Sequence, residues 1–244
     1  AATSLASSHR GAMMVIRGLE RETIEAALLK DCFSLDVACH NGETSITLAG
    51  SETELNRFEN VISSTNDSVY ISPVHTYGVA FHSRLVNDEV VDKLEQKLRE
   101  VIVCPKMRNS KWVSTCYDMG DNDGGFAGSK YYSSGFKKCV EFERACRSIP
   151  ENAIVIECGP CALFRSIFAN SHKYISLLER GKNSLECFAS SYGRLFILGV
   201  PMPGVTKRIS PRLAFPNPNQ RALREAFIGW DHKLNYTRPH LCLI

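Results

Sequence analysis

Alternating apolar and polar positions open the readable part of the chain. AMMVIRG (12–18) predicts a strand, and ERETIEAALLK (20–30) predicts a helix with acids in its first turn and a lysine in its last. LDVACHN (35–41) and TSITLAG (44–50) read as two strands, with Asn41-Gly42 as the hairpin turn between them. Ser51 is placed to cap a second helix, SETELNRFENVISS (51–64), with Glu54 at the capping-box position. SVYISPV (68–74) closes the unit as a strand. The order β-α-β-β-α-β is that of a split βαβ, ferredoxin-like subdomain over residues 12–80.

Beyond it the periods lengthen. Leu85, Val90, Val91, Leu94, Leu98 and Val101 recur at helical spacing before Pro105 ends the run. KWVSTC (111–116) predicts a short strand, followed by the Gly/Asp-rich loop DMGDNDGGFAGSK (118–130). KKCVEFERACRS (137–148) predicts a helix, AIVIE (153–157) a fully apolar strand of parallel-sheet type, and ALFRSIFANS (162–171) the next helix. KYISLL (173–178) and NSLECFASSYGRLFILG (183–199) add a strand and a helix. Strands alternating with helices imply an α/β layer with a parallel sheet over 81–200. After Pro201, five further prolines and little periodicity predict a tail, 201–244, that packs on a neighbour.

Composition narrows the function classes. With 244 residues, 44% hydrophobic and 23% charged, the chain has the profile of an ordinary globular protein. A net charge of +3, without a Lys/Arg run able to track a phosphate backbone, argues against nucleic acid as a main partner. No apolar stretch approaches the roughly 20 residues needed to span a bilayer. The ten cysteines sit among Val, Ala, Phe and Leu, as reduced thiols of a cytoplasmic protein do. His40, His75, His172, His232 and His240 show no metal-ligand spacing, so no metal is expected. The chain begins at Ala1 and soon enters an apolar strand, which suggests a fragment of a longer protein.

Cys158-Gly159-Pro160-Cys161 lies between an apolar strand and a helix, where a thioredoxin-type pair would sit, and Val200-Pro201 follows at the distance of a cis-proline. The segment after that proline, MPGVTKRISPRLAFPNPN, cannot make a central strand, and Glu157 would disfavour a thiolate. A tight turn carrying two small thiols is the simpler reading, with a dithiol oxidoreductase as the alternative.

Several segments together resemble the malonyl/acetyl transferase domain of animal-type fatty acid synthase. GVAFHSRLV (78–86) is similar to the family's G-V/M-A-F-H-S segment, and ACHNGETSITLAG (38–50) to its A-C-H-N-S-x-x-T-V-T-I-S-G strand pair. IPENAIVIECGPCALF (149–164) resembles I-P-E-x-A-V-V-x-E-x-x-P-x-A-L-L, and KWVSTC resembles R-W-L-S-T-S. ISPRLAFPNPNQRALREAFIGWDHKLNY (209–236) resembles the linker that follows this domain. The resemblance runs from about Gly11 to Tyr236 and implies an α/β-hydrolase-like parallel-sheet subdomain, here partial, carrying the ferredoxin-like insert.

The resemblance implies acyl transfer through a serine ester, with His82 as the catalytic base for the serine and later for the pantetheine thiol of an acyl carrier protein. It implies that the backbone carbonyl of Gly135 orients His82, where the family usually has Asn or Gln. It also implies that Phe81 in the A-F-H form accompanies small acyl groups. Asn41 lies near the acyl pocket in the family; its own spacing marks a hairpin residue. No resident cofactor is implied. Coenzyme A thioesters and the carrier's phosphopantetheine are substrates, and neighbouring ketosynthase and dehydratase domains are the partners of a cytosolic multienzyme. The family's serine elbow, G-H-S-x-G, has no counterpart in this sequence. Ser4, Ser7 and Ser8 lack its glycines, Ser83 adjoins the histidine on the same backbone, and Arg10 and Arg17 do not stand where the family's carboxylate-binding arginine does. The expectation is the C-terminal two-thirds of a transferase domain, inactive alone. A truncated, non-catalytic paralogue that binds a synthase or carrier protein is the other expectation.

Overall fold

The computed structural model describes residues 11–65, 68–118, 121, 124–168 and 173–201. Two compact units divide between Ser176 and Leu177. The first unit begins with β1 (Ala12–Arg17), α1 (Arg21–Lys30), β2 (Leu35–Gly42), β3 (Ser45–Gly50), α2 (Glu52–Thr65) and β4 (Tyr70–Val74). The strands lie in the order β4-β1-β3-β2, every neighbouring pair antiparallel. This is the ferredoxin-like arrangement, in which each βαβ half leaves room for a strand of the other.

Strand periodicity sorts the side chains between two faces. Met14 and Ile16 of β1 and Ile46 and Leu48 of β3 point to the face covered by the helices, where Ile24, Leu55, Phe58 and Ile62 meet them. Leu55, Phe58 and Ile62 are three and four positions apart, which makes one stripe of α2. Phe58 is fully buried and meets Phe33 edge-on at 5.2 Å. Met13, Ala38 and Ala49 face the other way and pack with Ala80, Cys39, Val74, Phe81 and Leu85. That second face presents the histidine turn.

Helix α2 starts as its sequence implies, with Ser51 Oγ accepting the Glu54 amide at 3.2 Å. The reciprocal arm goes elsewhere. The Glu54 carboxylate accepts the Ser34 amide at 2.9 Å and Arg57 at 3.2 Å, and that amide and guanidinium hold its pKa below the usual carboxylate value. The predicted Asn41-Gly42 turn is displaced. Both residues remain in β2, the turn falls on Glu43 and Thr44, and register shifts after Val37 and His40 absorb the difference.

Next come α3 (Asp88–Val101), β5 (Lys106–Met107), β6 (Phe126–Ala127), α4 (Ser129–Ser134), β7 (Val140–Glu141) and α5 (Phe142–Cys146). Asn87 caps α3 by accepting the Val90 amide at 3.0 Å, so Leu85 lies ahead of the helix instead of within it. KWVSTC is not a strand. Its Trp112, and Tyr117 just after it, pack on Tyr131 with ring centroids 5.7 and 5.5 Å away, so the segment serves an aromatic cluster. The segment predicted as a helix from 137 begins as a turn, enters β7, which joins the sheet parallel to β2, and becomes helical only at Phe142.

The apolar strand β8 (Ile154–Glu157) pairs in parallel with β9 (Lys173–Ser176) across α6 (Arg165–Phe168), as its unbroken hydrophobicity predicts. In the second unit, Asn183 Oδ1 accepts the amides of Leu185 and Glu186 and starts α7 (Ser184–Ile197). Gly199, at φ +75°, ends it, with the Val200 amide donating to Leu195 O and that of Gly199 to Phe196 O. The tail from 202 onward lies outside the described residues. The architecture is mixed α/β, with a ferredoxin-like subdomain and a partial parallel sheet.

Candidate active site

His82 stands in a tight turn that leaves the second face of the ferredoxin-like sheet. Its φ of +57° lies in the left-handed region, which costs a side-chain-bearing residue about 1–3 kcal/mol unless its surroundings fix it. They do. The His82 amide donates to Phe136 O at 3.1 Å, and Nδ1 lies 2.9 Å from Lys138 O. The Gly135 carbonyl lies close enough to favour the protonated imidazole, as the Lys138 carbonyl does. Two carbonyls of one segment, those of Phe136 and Lys138, therefore hold a residue more than fifty positions away in sequence.

A carbonyl oxygen only accepts, so Nδ1 carries the proton and Nε2 keeps its lone pair. Burial disfavours the imidazolium and lowers the pKa of His82 below the ordinary 6.5, against the opposing pull of the Lys138 and Gly135 carbonyls. The half-buried ring is thus biased toward the neutral, basic form at physiological pH. Phe81 packs edge-on against Phe136 with centroids 5.0 Å apart, joining the residue before the histidine to the segment that orients it. The turn borders a cleft of about 620 Å³ with Phe33, Leu35 and Val37 on its walls and Asp36, Arg84 and Lys137 among its charged residues.

The other candidates disperse. Ser83 is buried, its hydroxyl donating to Ala80 O at 2.7 Å and accepting the Leu85 amide, so it belongs to the turn's own hydrogen bonding. Asn41 donates Nδ2 to Thr47 Oγ1 at 3.0 Å across the strand pair. Arg17 lies over the Tyr70 ring. His40 Nδ1 is 3.7 Å from Glu141, and His75 packs on Tyr77. Ser4, Ser7, Ser8, Arg10, His172, His232 and His240 lie outside the described residues. Among the described residues no three His, Cys, Asp or Glu side chains gather as metal ligands, and no helix is long and apolar enough to cross a membrane.

Cys158-Gly159-Pro160-Cys161 forms a turn around the buried carboxylate of Glu157. That carboxylate accepts the amides of Leu163 at 2.9 Å and Phe164 at 3.0 Å and the hydroxyl of Tyr174. Burial, reinforced by Glu157, pushes the Tyr174 phenol up to about 12, so it stays a donor. Both cysteines are free thiols, and the helix that follows starts only at Arg165. Neither sulfur therefore sits at a helix N-terminus, where the thiols of a reactive pair stand.

Sequence reasoning named His82, Phe81 and Gly135, and the fold gathers all three around one turn. It missed Phe136 and Lys138, whose carbonyls hold His82 and leave no side-chain signature. It also missed Asp36 and Arg84, whose pairing across 48 positions only the fold reveals.

This architecture matches known proteins. Residues 4–184 fit the model of the acyl transferase domain, and the chain belongs to that family. It is 27% identical over 217 residues to a highly reducing polyketide synthase of Pyrenophora dematioidea, covering 83% of this chain and 8% of that protein. It is 24% identical over 208 residues to a non-reducing polyketide synthase of Penicillium canescens, covering 78% and 8%. The chain thus spans less than a tenth of the length of these relatives.

Among solved structures, the acyltransferase domain of an iterative polyketide synthase in enediyne biosynthesis superposes with a TM-score of 0.66 at 20% identity, covering 86% of this chain and 53% of that one. A malonyl CoA-acyl carrier protein transacylase from Clostridium perfringens gives 0.57 at 18%, covering 82% and 64%. These likenesses show the fold. The relatives named here are polyketide synthases, so the family shown is the acyl transferase domain at large and not its fatty acid synthase branch.

Proposed function

We propose that this chain is part of a fatty acid synthase acyl transferase domain that moves malonyl or acetyl groups from coenzyme A to an acyl carrier protein, with His82 as the base. The single observation that carries the reading is the imidazole itself: Nδ1 donates to Lys138 O, and burial holds the ring neutral. Such a ring presents Nε2 to an incoming hydroxyl or thiol. The segments around His82, Phe81 and Ile149–Phe164 support the fatty acid synthase branch through their resemblance to its motifs.

The steps balance around one nitrogen. Nε2 takes the proton of a serine hydroxyl as its oxygen attacks the thioester carbonyl, and returns that proton to the departing coenzyme A sulfur. In the second half Nε2 takes the proton of the carrier's pantetheine thiol, whose sulfur attacks the serine ester, and the proton returns to the serine oxygen. The serine belongs to a segment beyond this sequence. The Lys138 carbonyl fixes the tautomer with that of Gly135 near it, and the Phe81 ring limits the acyl group to a small one. Coenzyme A thioesters and phosphopantetheine enter only as substrates. The setting we assign is a cytoplasmic multienzyme with ketosynthase and dehydratase neighbours, and the segments are 12–80, 81–200 and a linker at 201–244.

The test is covalent labelling. A longer chain that adds the serine-bearing segment should take up label from radioactive malonyl-CoA, and His82→Ala should abolish the labelling. Full labelling of the His82→Ala protein would overturn the assignment.

A further inference from the structure

The left-handed conformation of His82 needs more support than its own turn supplies, and one side chain from another element reaches that turn. Asp36, on β2, accepts the backbone amide of Arg84 at 2.8 Å through Oδ2. The same carboxylate is gripped by the Arg84 side chain, with Nε 2.8 Å from Oδ1 and 3.0 Å from Oδ2, and Nη2 2.6 Å from Oδ1. Nη2 also reaches Leu35 O at 3.5 Å. One carboxylate thus binds both the main chain and the side chain of the residue two positions after His82.

We propose that Asp36 is a positioning residue for His82, locking the 82–84 turn to β2 through the amide and guanidinium of Arg84 so that the imidazole stays seated on the 135–138 carbonyls.

The geometry separates this clasp from an ordinary surface pair. A guanidinium fork fixes direction as well as distance, and an acceptor for a backbone amide fixes the chain itself. The Asp36 side chain retains 23% of its accessible surface and that of Arg84 62%, so it is the carboxylate and its bond to the main chain that are sheltered. The contrast is the pair between Lys137 and Asp88 on the carbonyl side, where the Asp88 side chain is 83% exposed and a single contact of 2.7 Å is made. Exposed single-contact pairs of that kind contribute little. The positioning therefore falls on Asp36, whose carboxylate lines the same cleft as the imidazole.

A clasp that seats the ring maintains the burial that lowers its pKa, and this gives a readout that a merely stabilising contact would not move. The imidazole of His82 is titrated by NMR in the present chain with ¹³C-labelled histidine, its resonance assigned by its loss in His82→Ala. In Asp36→Ala the midpoint should rise toward 6.5, because a released ring gains water. Arg84→Ala keeps the amide bond but removes the fork, and should give a smaller rise; it also serves if Asp36→Ala does not fold. Asp88→Ala should leave the midpoint in place. An unchanged His82 midpoint in a folded Asp36→Ala, or in Arg84→Ala where that variant stands in, overturns the proposal, whatever happens to the melting temperature. The functional weight of the clasp rests on His82 being the base, but the two tests are independent. Persistent labelling in His82→Ala removes the base, whereas the titration alone decides whether Asp36 seats the ring.

Discussion

Replacing Glu157 with alanine should unfold the β8–β9 region far more readily than any change to the neighbouring cysteines. The carboxylate is buried, with the residue 8% exposed, and serves three donors: the amides of Leu163 and Phe164 and the hydroxyl of Tyr174. A hydrogen bond to a charged group contributes about 1.5–3 kcal/mol, and a buried donor left without its acceptor costs about 1–3 kcal/mol. The three are not independent, because one carboxylate serves them all and water can reach the Leu163 side of the turn. The expected loss is therefore about 3–5 kcal/mol for Glu157→Ala, comparable to breaking one buried ion pair. Glu157→Gln keeps one acceptor oxygen and should lose about half as much. Urea unfolding followed by far-UV circular dichroism measures both, and an unchanged m-value identifies the shift as one of stability. If Glu157→Ala stayed within about 0.5 kcal/mol of the parent, the turn would owe its shape to Gly159-Pro160 alone and the reasoning would fail.

Two further outcomes follow from local geometry. In Gly11→Ala the new methyl group would lie 2.6 Å from Ala80 Cβ and 2.9 Å from Gly50 O, neither of which is the end of a flexible side chain, so a loss of about 1–3 kcal/mol in urea unfolding is expected. The depressed pKa of His82 means that the unfolded chain binds its proton first as pH falls. Its contribution is full above pH 6.5 and is lost as pH falls through the folded value, with a slope of at most about 1.4 kcal/mol per pH unit. Stability of the parent and of His82→Gln measured between pH 5 and 8 should show that slope in the parent only.

The ferredoxin-like half was legible because its signals are local. Period-two strands, a capped amphipathic α2 and short connections leave few ways to fold 12–74, and β1 through β4 lie where the pattern predicts them. Reading failed where tertiary partners outweighed local preference. Asn41-Gly42 has turn chemistry, yet two register shifts carry β2 past it and Asn41 bonds across to Thr47. KWVSTC has strand composition, but a single backbone bond from Glu141 to Thr115 O is not enough to make it a strand, and its Trp112 ring goes to Tyr131. The stretch from Lys137 has helical spacing, but Val140 and Glu141 are claimed by the edge of β2.

The candidate site divides in the same way. His82 was legible from its motif, whereas its contacts depend on φ +57° and on backbone carbonyls that any residue could supply. The shift from Gly135 alone to a segment in which Lys138 makes the 2.9 Å contact is of this kind. Asp36 and Arg84 were unreadable for another reason. Each is an ordinary surface charge until β2 and the histidine turn are brought together.

A neutral His82 acting as the base must show itself in the pH dependence of acyl-ester formation. The rate of labelling from malonyl-CoA is followed in the longer, serine-bearing chain and in its His82→Gln variant. A plateau above pH 6.5 and an acidic limb with its midpoint below 6.5 are expected. In the variant the rate should fall by about 10²–10⁴-fold and the limb should vanish. A variant that kept both the rate and the limb would show that another group takes the serine proton.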